Sequence, residues 1–203
     1  MLNFMVDHTD HPTAIRYPRG AVTEKIHPEL ERYGQTPIEL GKPEVLTEGA
    51  DVLFIALGSM VGPVLEAARY LEGVDVSSTV VNARFVKPFD VQSIEALCRE
   101  ARLVVTVEEG CLTGGFGSAV LESLAARQVV LPNVICLGVP DRFIPHARRE
   151  MQLDWVGLSP HKIARRCRQA LWKIDPGHFP LKEEDFASDD TVRILRDVSG
   201  SGD

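Results

Sequence analysis

The stretch VVTVEEGCLTGGFGSAVLE, residues 104–122, indicates the fold class of this chain. It opens with β-branched valines that are typical of a buried strand, and the strand ends in the carboxylates Glu108 and Glu109. Apolar residues then recur at helical spacing, and Ser118 is the predicted cap of that helix. The turn between them contains glycines that let the backbone reverse sharply: Gly110, Gly114, Gly115 and Gly117. The stretch therefore predicts a strand, a tight turn and a helix.

A glycine-rich turn between a strand and a helix has two interpretations. Its unpaired N–H groups can receive an anion, or the turn can be purely structural. The sequence GGFGS lacks the lysine of a phosphate-binding loop and does not fit the GxGxxG pattern, which favours the structural turn. Adjacent strand residues point to opposite faces, so Glu108 and Glu109 are not expected to act as a catalytic pair. The candidate residues for an interface or an anion-binding loop are Glu108, Glu109, Gly114, Gly115, Gly117 and Ser118.

The composition is that of a globular chain and argues against several classes of function. The chain has 203 residues, 44% of them hydrophobic, which is enough for one compact domain with appendages. A formal net charge of −7 argues against nucleic-acid binding, and no apolar run reaches the roughly 20 residues of a membrane helix. The N-terminus lacks the pattern of a signal peptide. The cysteines of the chain are widely spaced, which indicates reduced thiols rather than disulfides. We therefore expect a cytoplasmic protein with no nucleic-acid or membrane partner.

Predicted strands alternate with predicted helices along the middle of the chain. The strands are expected at residues 51–57, 74–83, 103–107 and 133–139, and the helices at residues 62–71, at 91–101 and after the GGFGS turn. A last helix is predicted with Ser159 as its cap and Pro160 in its first turn. This alternation is typical of βαβ units, so it predicts an α/β fold with a mostly parallel sheet.

The two ends of the chain depart from this regular pattern. Residues 3–10 are predicted to be the end of a helix, and residues 12–20 to form one isolated strand. Residues 21–43 are polar and rich in proline and glycine, which is the composition of a linker. Residues 176–203 are acidic and polar, and we expect them to be mobile or draped over the surface.

Several segments, taken in order, point to one family. They are AIRYPRG (14–20), NARFVKPFD (82–90), TVEEGCLTGGFGSAVLE (106–122), GVPDRFIPHA (138–147) and LDWVGLSPHKIARR (153–166). Together they resemble the C-terminal part of the 1-deoxy-D-xylulose-5-phosphate synthases, thiamine-diphosphate enzymes of the transketolase superfamily. The resemblance implies that residues 44–175 form a three-layer αβα domain of the transketolase C-terminal type, with a mostly parallel sheet of about five strands. Residues 1–20 would be a remnant of the pyrimidine-binding domain, and residues 21–43 the linker.

Enzymes of this family condense pyruvate with glyceraldehyde 3-phosphate and release carbon dioxide. This transferase reaction supplies precursors for isoprenoid, thiamine and pyridoxal biosynthesis. In the family, a GDG motif with a downstream asparagine holds the magnesium-bound diphosphate, and this chain contains no GDG. We therefore expect no catalytic, cofactor-binding or metal-binding residue in this chain. The isolated chain is expected to be inactive and to bind neither thiamine diphosphate nor magnesium.

The resemblance also implies partners for the chain. These are the N-terminal thiamine-diphosphate-binding and pyrimidine domains, on the same or a separate chain, and a second copy in a homodimer. The alternative is a stand-alone, non-catalytic domain of the transketolase C-terminal type that serves dimerisation, regulation or scaffolding.

Arg19 is the single substrate contact that the resemblance implies. It closes the RYxRG segment, whose last arginine holds the phosphate of glyceraldehyde 3-phosphate in the family, and a guanidinium binds phosphate bidentately. The alternative is an ion pair at the domain junction. Other polar residues are assigned lesser roles. His8 and His11 belong to a polar connector, and Asp141 and Arg142 pair with each other or brace a loop. His146 is an imidazole without a catalytic partner, and Arg84 and Lys87 belong to an interface loop.

Overall fold

The computed structural model describes residues 1–18, 37–131, 133–182 and 185 of the chain. Its strands are β1 (Glu44–Thr47), β2 (Val52–Ala56), β3 (Ser78–Asn82), β4 (Leu103–Cys111) and β5 (Val134–Val139). Its helices are α1 (Leu2–Asp7), α2 (Val61–Glu72), α3 (Val91–Glu100), α4 (Phe116–Ala126), α5 (Arg149–Trp155) and α6 (Pro160–Ile174). A short 3-10 turn, Gly58–Met60, connects β2 to α2.

The strands form one sheet in the order β1-β3-β2-β4-β5. β1 is antiparallel to β3 at one edge, and the other pairs are parallel. Val52 of β2 lies opposite Ser78 on one side and Leu103 on the other. The chain thus runs from β2 to β3 on one side and then to β4 on the other side. The carboxyl ends of β2 and β4 therefore meet at a topological switch point, which is where open α/β sheets usually bind ligands.

Alternate residues of each central strand pack into two separate cores. On β2, Val52, Phe54 and Ala56 join the core under α2 and α6, while Leu53 and Ile55 join the core under α3 and α4. All five residues are fully buried, because helices cover both faces of the sheet. The predicted three-layer α/β architecture with a five-stranded, mostly parallel sheet is confirmed.

The central strands and helices lie where the sequence predicts them, with shifted ends. β3 begins at Ser78 rather than at residue 74, since the backbone of Val74 and Val76 hydrogen-bonds back to Leu71 at the end of α2. β4 continues to Cys111 rather than ending at residue 107. Pro160 is the first residue of α6, as predicted. Ser159 does stand at the N-cap position, but its hydroxyl donates to Asp154 instead of accepting from the helix, so that part of the prediction is wrong.

The predicted strand at residues 12–20 is absent over residues 12–18, which have no regular secondary structure. An extended segment needs a neighbouring strand for its N–H and C=O groups, and none of the described strands pairs with this one. The helix predicted at residues 3–10 is present as α1, but it ends at Asp7, and its Phe4 packs edge-on against Phe85. Arg19 and residues 21–36 of the linker lie outside the described residues.

The described part of the C-terminal segment packs against the domain. Phe179 is buried, with the guanidinium of Arg102 above its ring at 5.6 Å. Asp185 is also buried and pairs with Arg168 of α6 at 2.7 Å. Over the described parts of the chain, no helix has the length and apolar character needed to cross a membrane.

Candidate functional site

Polar side chains from three segments meet at the switch point between β2 and β4. Ser59 lies in the 3-10 turn after β2, Glu109 near the end of β4, and Arg149 is the first residue of α5. The Arg149 Nε donates to Glu109 Oε1 at 2.8 Å, and a second guanidinium nitrogen donates to Oε2. The Ser59 hydroxyl also donates to Oε2, at 2.5 Å. Glu109 therefore connects the loops after β2 and β5 at the carboxyl edge of the sheet.

The electrostatics of this cluster favour a structural tether over a catalytic acid or base. Partial burial raises the pKa of Glu109, but the hydrogen bonds from Arg149 and Ser59 outweigh it, so that the pKa lies below its usual value. The bond to Glu109 likewise raises the pKa of Arg149. A carboxylate that is held ionised, with both oxygens occupied by donors, is a poor proton acceptor at neutral pH. Both groups stay charged and keep their bidentate geometry.

Glu108 points to the opposite face and caps helix α4. Its side chain is buried, with the residue only 6% exposed. Oε2 accepts from the Phe116 N–H at 2.9 Å, and Oε1 accepts from the Gly117 N–H at 2.8 Å. These two N–H groups belong to the first turn of α4 and have no partner within the helix. A carboxylate at this end also interacts favourably with the helix dipole.

The glycines of the GGFGS turn make room for this buried carboxylate. A Cβ on Gly115 would lie 2.6 Å from Glu108 Oε2 and 2.1 Å from the Cys111 carbonyl oxygen. On Gly117, a Cβ would lie 2.6 Å from Thr106 Oγ1 on β4. Gly114 has a φ of +70°, a conformation that side chains disfavour. The close approach of backbone to Glu108 and β4 thus explains why this turn contains glycines.

The structure corrects the predicted cap of α4. The helix begins at Phe116, so Ser118 lies inside its first turn, where the hydroxyl accepts from Gly114 and donates to Leu112. The sequence analysis did not identify Glu108 as the cap, because a carboxylate at the end of a strand gives no local indication that it will cap the following helix. Glu108 also occupies the position that an anion would take at this N-terminus. An interface role for the exposed part of the turn stays a prediction.

Sequence reasoning also missed Ser59 and Arg149. They lie 50 and 40 residues from Glu109, and no short motif connects such distant positions. The one available signal was topological, because Ser59 and Glu109 each follow a strand that borders the switch point.

Arg84 forms an ion pair inside the domain, and the interface role predicted for its loop stays a prediction. Its guanidinium is buried against Glu44 of β1, with nitrogen and oxygen 2.6 Å apart and side chains 8% and 7% exposed. The pair holds the edge strand β1 to the loop after β3, while Lys87 of that loop is exposed. An ion pair between Asp141 and Arg142 does not occur among the described residues, and both side chains are exposed. His146 is also exposed, and His8 stacks on Phe4 with ring centroids 4.3 Å apart.

The residues that the structure describes do not fit magnesium-bound thiamine diphosphate. Nowhere in the described parts of the chain do three or more His, Cys, Asp or Glu side chains form a group that could hold a metal ion. The switch-point carboxylate, Glu109, has both oxygens bound to Arg149 and Ser59.

Comparison with known proteins agrees with this architecture. The family model described as "Transketolase, C-terminal domain" matches residues 41–163. A 1-deoxy-D-xylulose-5-phosphate synthase from a Synechococcus species is 48% identical over 163 residues, covering 80% of this chain and 24% of the relative. The synthase of Parasynechococcus marenigrum is 40% identical over 196 residues, covering 97% of this chain and 28% of the relative. The chain thus spans about a quarter of the length of these curated relatives.

A solved structure is similar as well. A chain of "Split gene transketolase, inactive beta4 tetramer" superposes with a TM-score of 0.61 at 35% identity, covering 68% of this chain and 44% of that one. The family model matches more than half of the present chain, over residues that include all five strands and helices α2 to α5. This chain belongs to the transketolase C-terminal domain family.

Proposed function

We propose that the chain acts as the C-terminal domain of a 1-deoxy-D-xylulose-5-phosphate synthase. The observation that carries the proposal is the identity of 40–49% with synthases over at least 80% of the chain. That match includes the turn whose glycines and buried Glu108 fix the start of α4. The complete enzyme would condense pyruvate with glyceraldehyde 3-phosphate, with thiamine diphosphate and magnesium bound by the N-terminal domains.

In this proposal the chain contributes a rigid scaffold and one substrate contact. The sheet, its helices and the Ser59–Glu109–Arg149 cluster fix the carboxyl edge, so that the loops ending there have a defined shape. Arg19, which lies outside the described residues, would bind the phosphate of glyceraldehyde 3-phosphate. The isolated chain would be inactive in the cytoplasm until it is combined with the other domains in a homodimer. The similar chain, described as "Split gene transketolase, inactive beta4 tetramer", supports this dependence.

Complementation tests the proposal directly. The Synechococcus synthase would be truncated before the region that this chain matches and then mixed with the full present chain, pyruvate, glyceraldehyde 3-phosphate, thiamine diphosphate and magnesium. We expect product from the mixture and none from either part alone. Calorimetric titration of the chain alone with thiamine diphosphate and magnesium should show no binding. A mixture that assembles, by co-elution, yet forms no product would support the non-catalytic alternative instead.

The role of Arg19 has a matched control in Arg16. In the active mixture, Arg19→Ala is expected to raise the KM for glyceraldehyde 3-phosphate by about tenfold or more, because a charged hydrogen bond to phosphate is lost, and to leave the KM for pyruvate nearly unchanged. Arg16→Ala removes the same charge three residues earlier and should change neither KM. Equal effects of the two substitutions would refute the phosphate contact without affecting the assignment as a synthase domain.

A further inference from the structure

The loop between β5 and α5 exposes one aromatic side chain completely. Phe143 has a relative exposure of 103%, the largest value among the big apolar side chains of the described residues. A ring of this size removes about 150–250 Å² of surface from water when a partner covers it. Aromatic side chains of this kind are enriched where proteins bind one another.

Contacts on its C-terminal side hold the loop that carries Phe143. Arg149, which follows the loop, forms the bidentate bond to Glu109 at the end of β4. Gln152 of α5 donates to the Pro145 carbonyl oxygen, two residues after Phe143, at 2.9 Å. A loop that is already ordered loses little conformational entropy when a partner binds to it. The exposed ring therefore stands on a part of the surface that is prepared for docking.

A second apolar surface lies on α1 and on the loop after β3. Phe4 of α1 packs against Phe85 of that loop, with ring centroids 5.6 Å apart. Leu2 and Val6 are four residues apart, so they share another face of α1, and both are exposed. Val86, the neighbour of Phe85, is also exposed. One side of α1 thus packs against this domain, while its other apolar side is left uncovered by the described residues.

Both surfaces lie at the carboxyl edge of the sheet. The loops that carry Val86 and Phe143 follow β3 and β5, and only β2 and β4 separate these strands. Three spacings between neighbouring strands amount to about 14 Å. A protein–protein interface of ordinary size covers about 800 Å² on each partner, a patch roughly 30 Å across. A single partner domain is therefore large enough to cover both surfaces at once.

On the basis of the function proposed above, we propose that Leu2, Val6, Val86 and Phe143 form a docking surface for the N-terminal domains of the complete synthase. Helix α1 indicates this occupant. It precedes residues 41–163, which match the family domain, and it packs on the same edge through Phe4. The polypeptide that precedes the domain therefore lies at the docking surface. In a complete synthase, attachment through α1 keeps the N-terminal domains at a high effective concentration there.

The test measures how tightly the full chain binds the truncated Synechococcus synthase described above, by titration calorimetry. Phe143→Ser and Val6→Asp should each weaken binding by about tenfold or more, because the first removes a buried ring and the second buries a charge. The matched control is Val130→Asp. Val130 is 84% exposed, against 74% for Val6, but it lies after α4 at the opposite edge of the sheet, so binding should not change.

Product formation gives a second measurement on the same mixtures. For Phe143→Ser and Val6→Asp, the concentration of chain that gives half-maximal product formation should rise by the same factor as the dissociation constant. The maximal rate at saturating chain should stay unchanged, because the docking surface only brings the parts together. Circular dichroism of each variant alone should match that of the unsubstituted chain, since the substituted side chains are exposed.

Two outcomes would overturn the proposal. One is equal binding by Phe143→Ser, Val6→Asp and Val130→Asp while all the mixtures form product, which would leave the synthase assignment intact. The other is a dimer of the chain alone, seen in sedimentation, that Phe143→Ser dissociates, because this would assign the docking surface to a second copy. Failure of the unsubstituted parts to assemble would contradict both the docking surface and the synthase assignment.

Discussion

Replacing Glu108 with glutamine tests whether the buried carboxylate holds the glycine-rich turn in place. The side chain keeps its shape and volume in Glu108→Gln, so no cavity forms. However, one carboxylate oxygen becomes an NH2 group. This NH2 would face the N–H of either Phe116 or Gly117, where the structure has hydrogen bonds of 2.9 and 2.8 Å. One of the two helix donors therefore loses its acceptor in a buried site.

The magnitude follows from those two bonds. A hydrogen bond to a charged, buried acceptor contributes about 1.5–3 kcal/mol, and an unsatisfied buried donor costs about 1–3 kcal/mol. The lost interaction of the negative charge with the helix dipole adds about 0.3–1 kcal/mol. These contributions overlap, because the lost bond is what leaves the donor unsatisfied. We expect the substitution to lower the free energy of unfolding by about 2–4 kcal/mol, a large part of the 5–15 kcal/mol that is typical of a domain.

Urea unfolding followed by circular dichroism measures this change. At a urea dependence of about 2 kcal/mol per M, a loss of 2–4 kcal/mol lowers the midpoint by roughly 1–2 M. The matched control is Glu109→Gln, an identical change at the next residue, whose side chain is 29% exposed and pairs with Arg149. That variant should lose less than about 1 kcal/mol, because partly exposed ion pairs contribute little. Equal midpoints for the two variants would refute the assignment of Glu108 as the cap that stabilises α4.

Other predictions follow from single contacts. Arg84→Ala should cost about 3–5 kcal/mol in urea unfolding, because it leaves the buried Glu44 carboxylate unpaired; a loss below 1 kcal/mol would contradict a buried pair. Hydrogen bonds from Lys42 and Ser93 lower the pKa of Asp90 to about 2, so its ionised form stabilises the native state above about pH 4. The stability difference between the native chain and Asp90→Asn should therefore shrink as the pH falls from about 4 to about 2, and a constant difference would exclude this linkage. Iodoacetamide should modify the exposed Cys111 well before Cys167, where burial raises the pKa of the thiol, as mass spectrometry of peptides would show; equal rates in the native state would contradict this burial.

The central sheet was predictable because its signal is local. β2 consists entirely of apolar residues, as a strand covered on both faces must, and the structure buries every one of them. The extension of β4 beyond Val107 was not predictable in the same way. A charged residue in a predicted strand normally marks the end of that strand. Glu108 is buried within β4 because two N–H groups at the start of α4 donate hydrogen bonds to its carboxylate across the turn.

The polar contacts at the carboxyl edge of the sheet could not be predicted from the spacing of residues in the sequence. Ser59, Glu109 and Arg149 come from separate connections, and only the strand order brings them together. A similar reason applies to Arg84, which follows a strand and whose buried ion pair was not predicted. Its partner Glu44 lies on an antiparallel edge strand that the alternation of strands and helices did not reveal.

The buried carboxylate also favours the structural interpretation of the GGFGS turn. In a phosphate-binding loop, a bound anion accepts from the first N–H groups of the helix. Here the oxygens of Glu108 accept from Phe116 and Gly117, and the hydroxyl of Ser118 accepts from Gly114. A phosphate at this helix end would have to displace an internal carboxylate of the same charge sign. Glycine at positions 115 and 117 is required by contacts with Glu108 and Thr106 inside the chain, so these residues need no ligand to account for them. The search for a phosphate contact of this chain should therefore begin at Arg19 rather than at the turn.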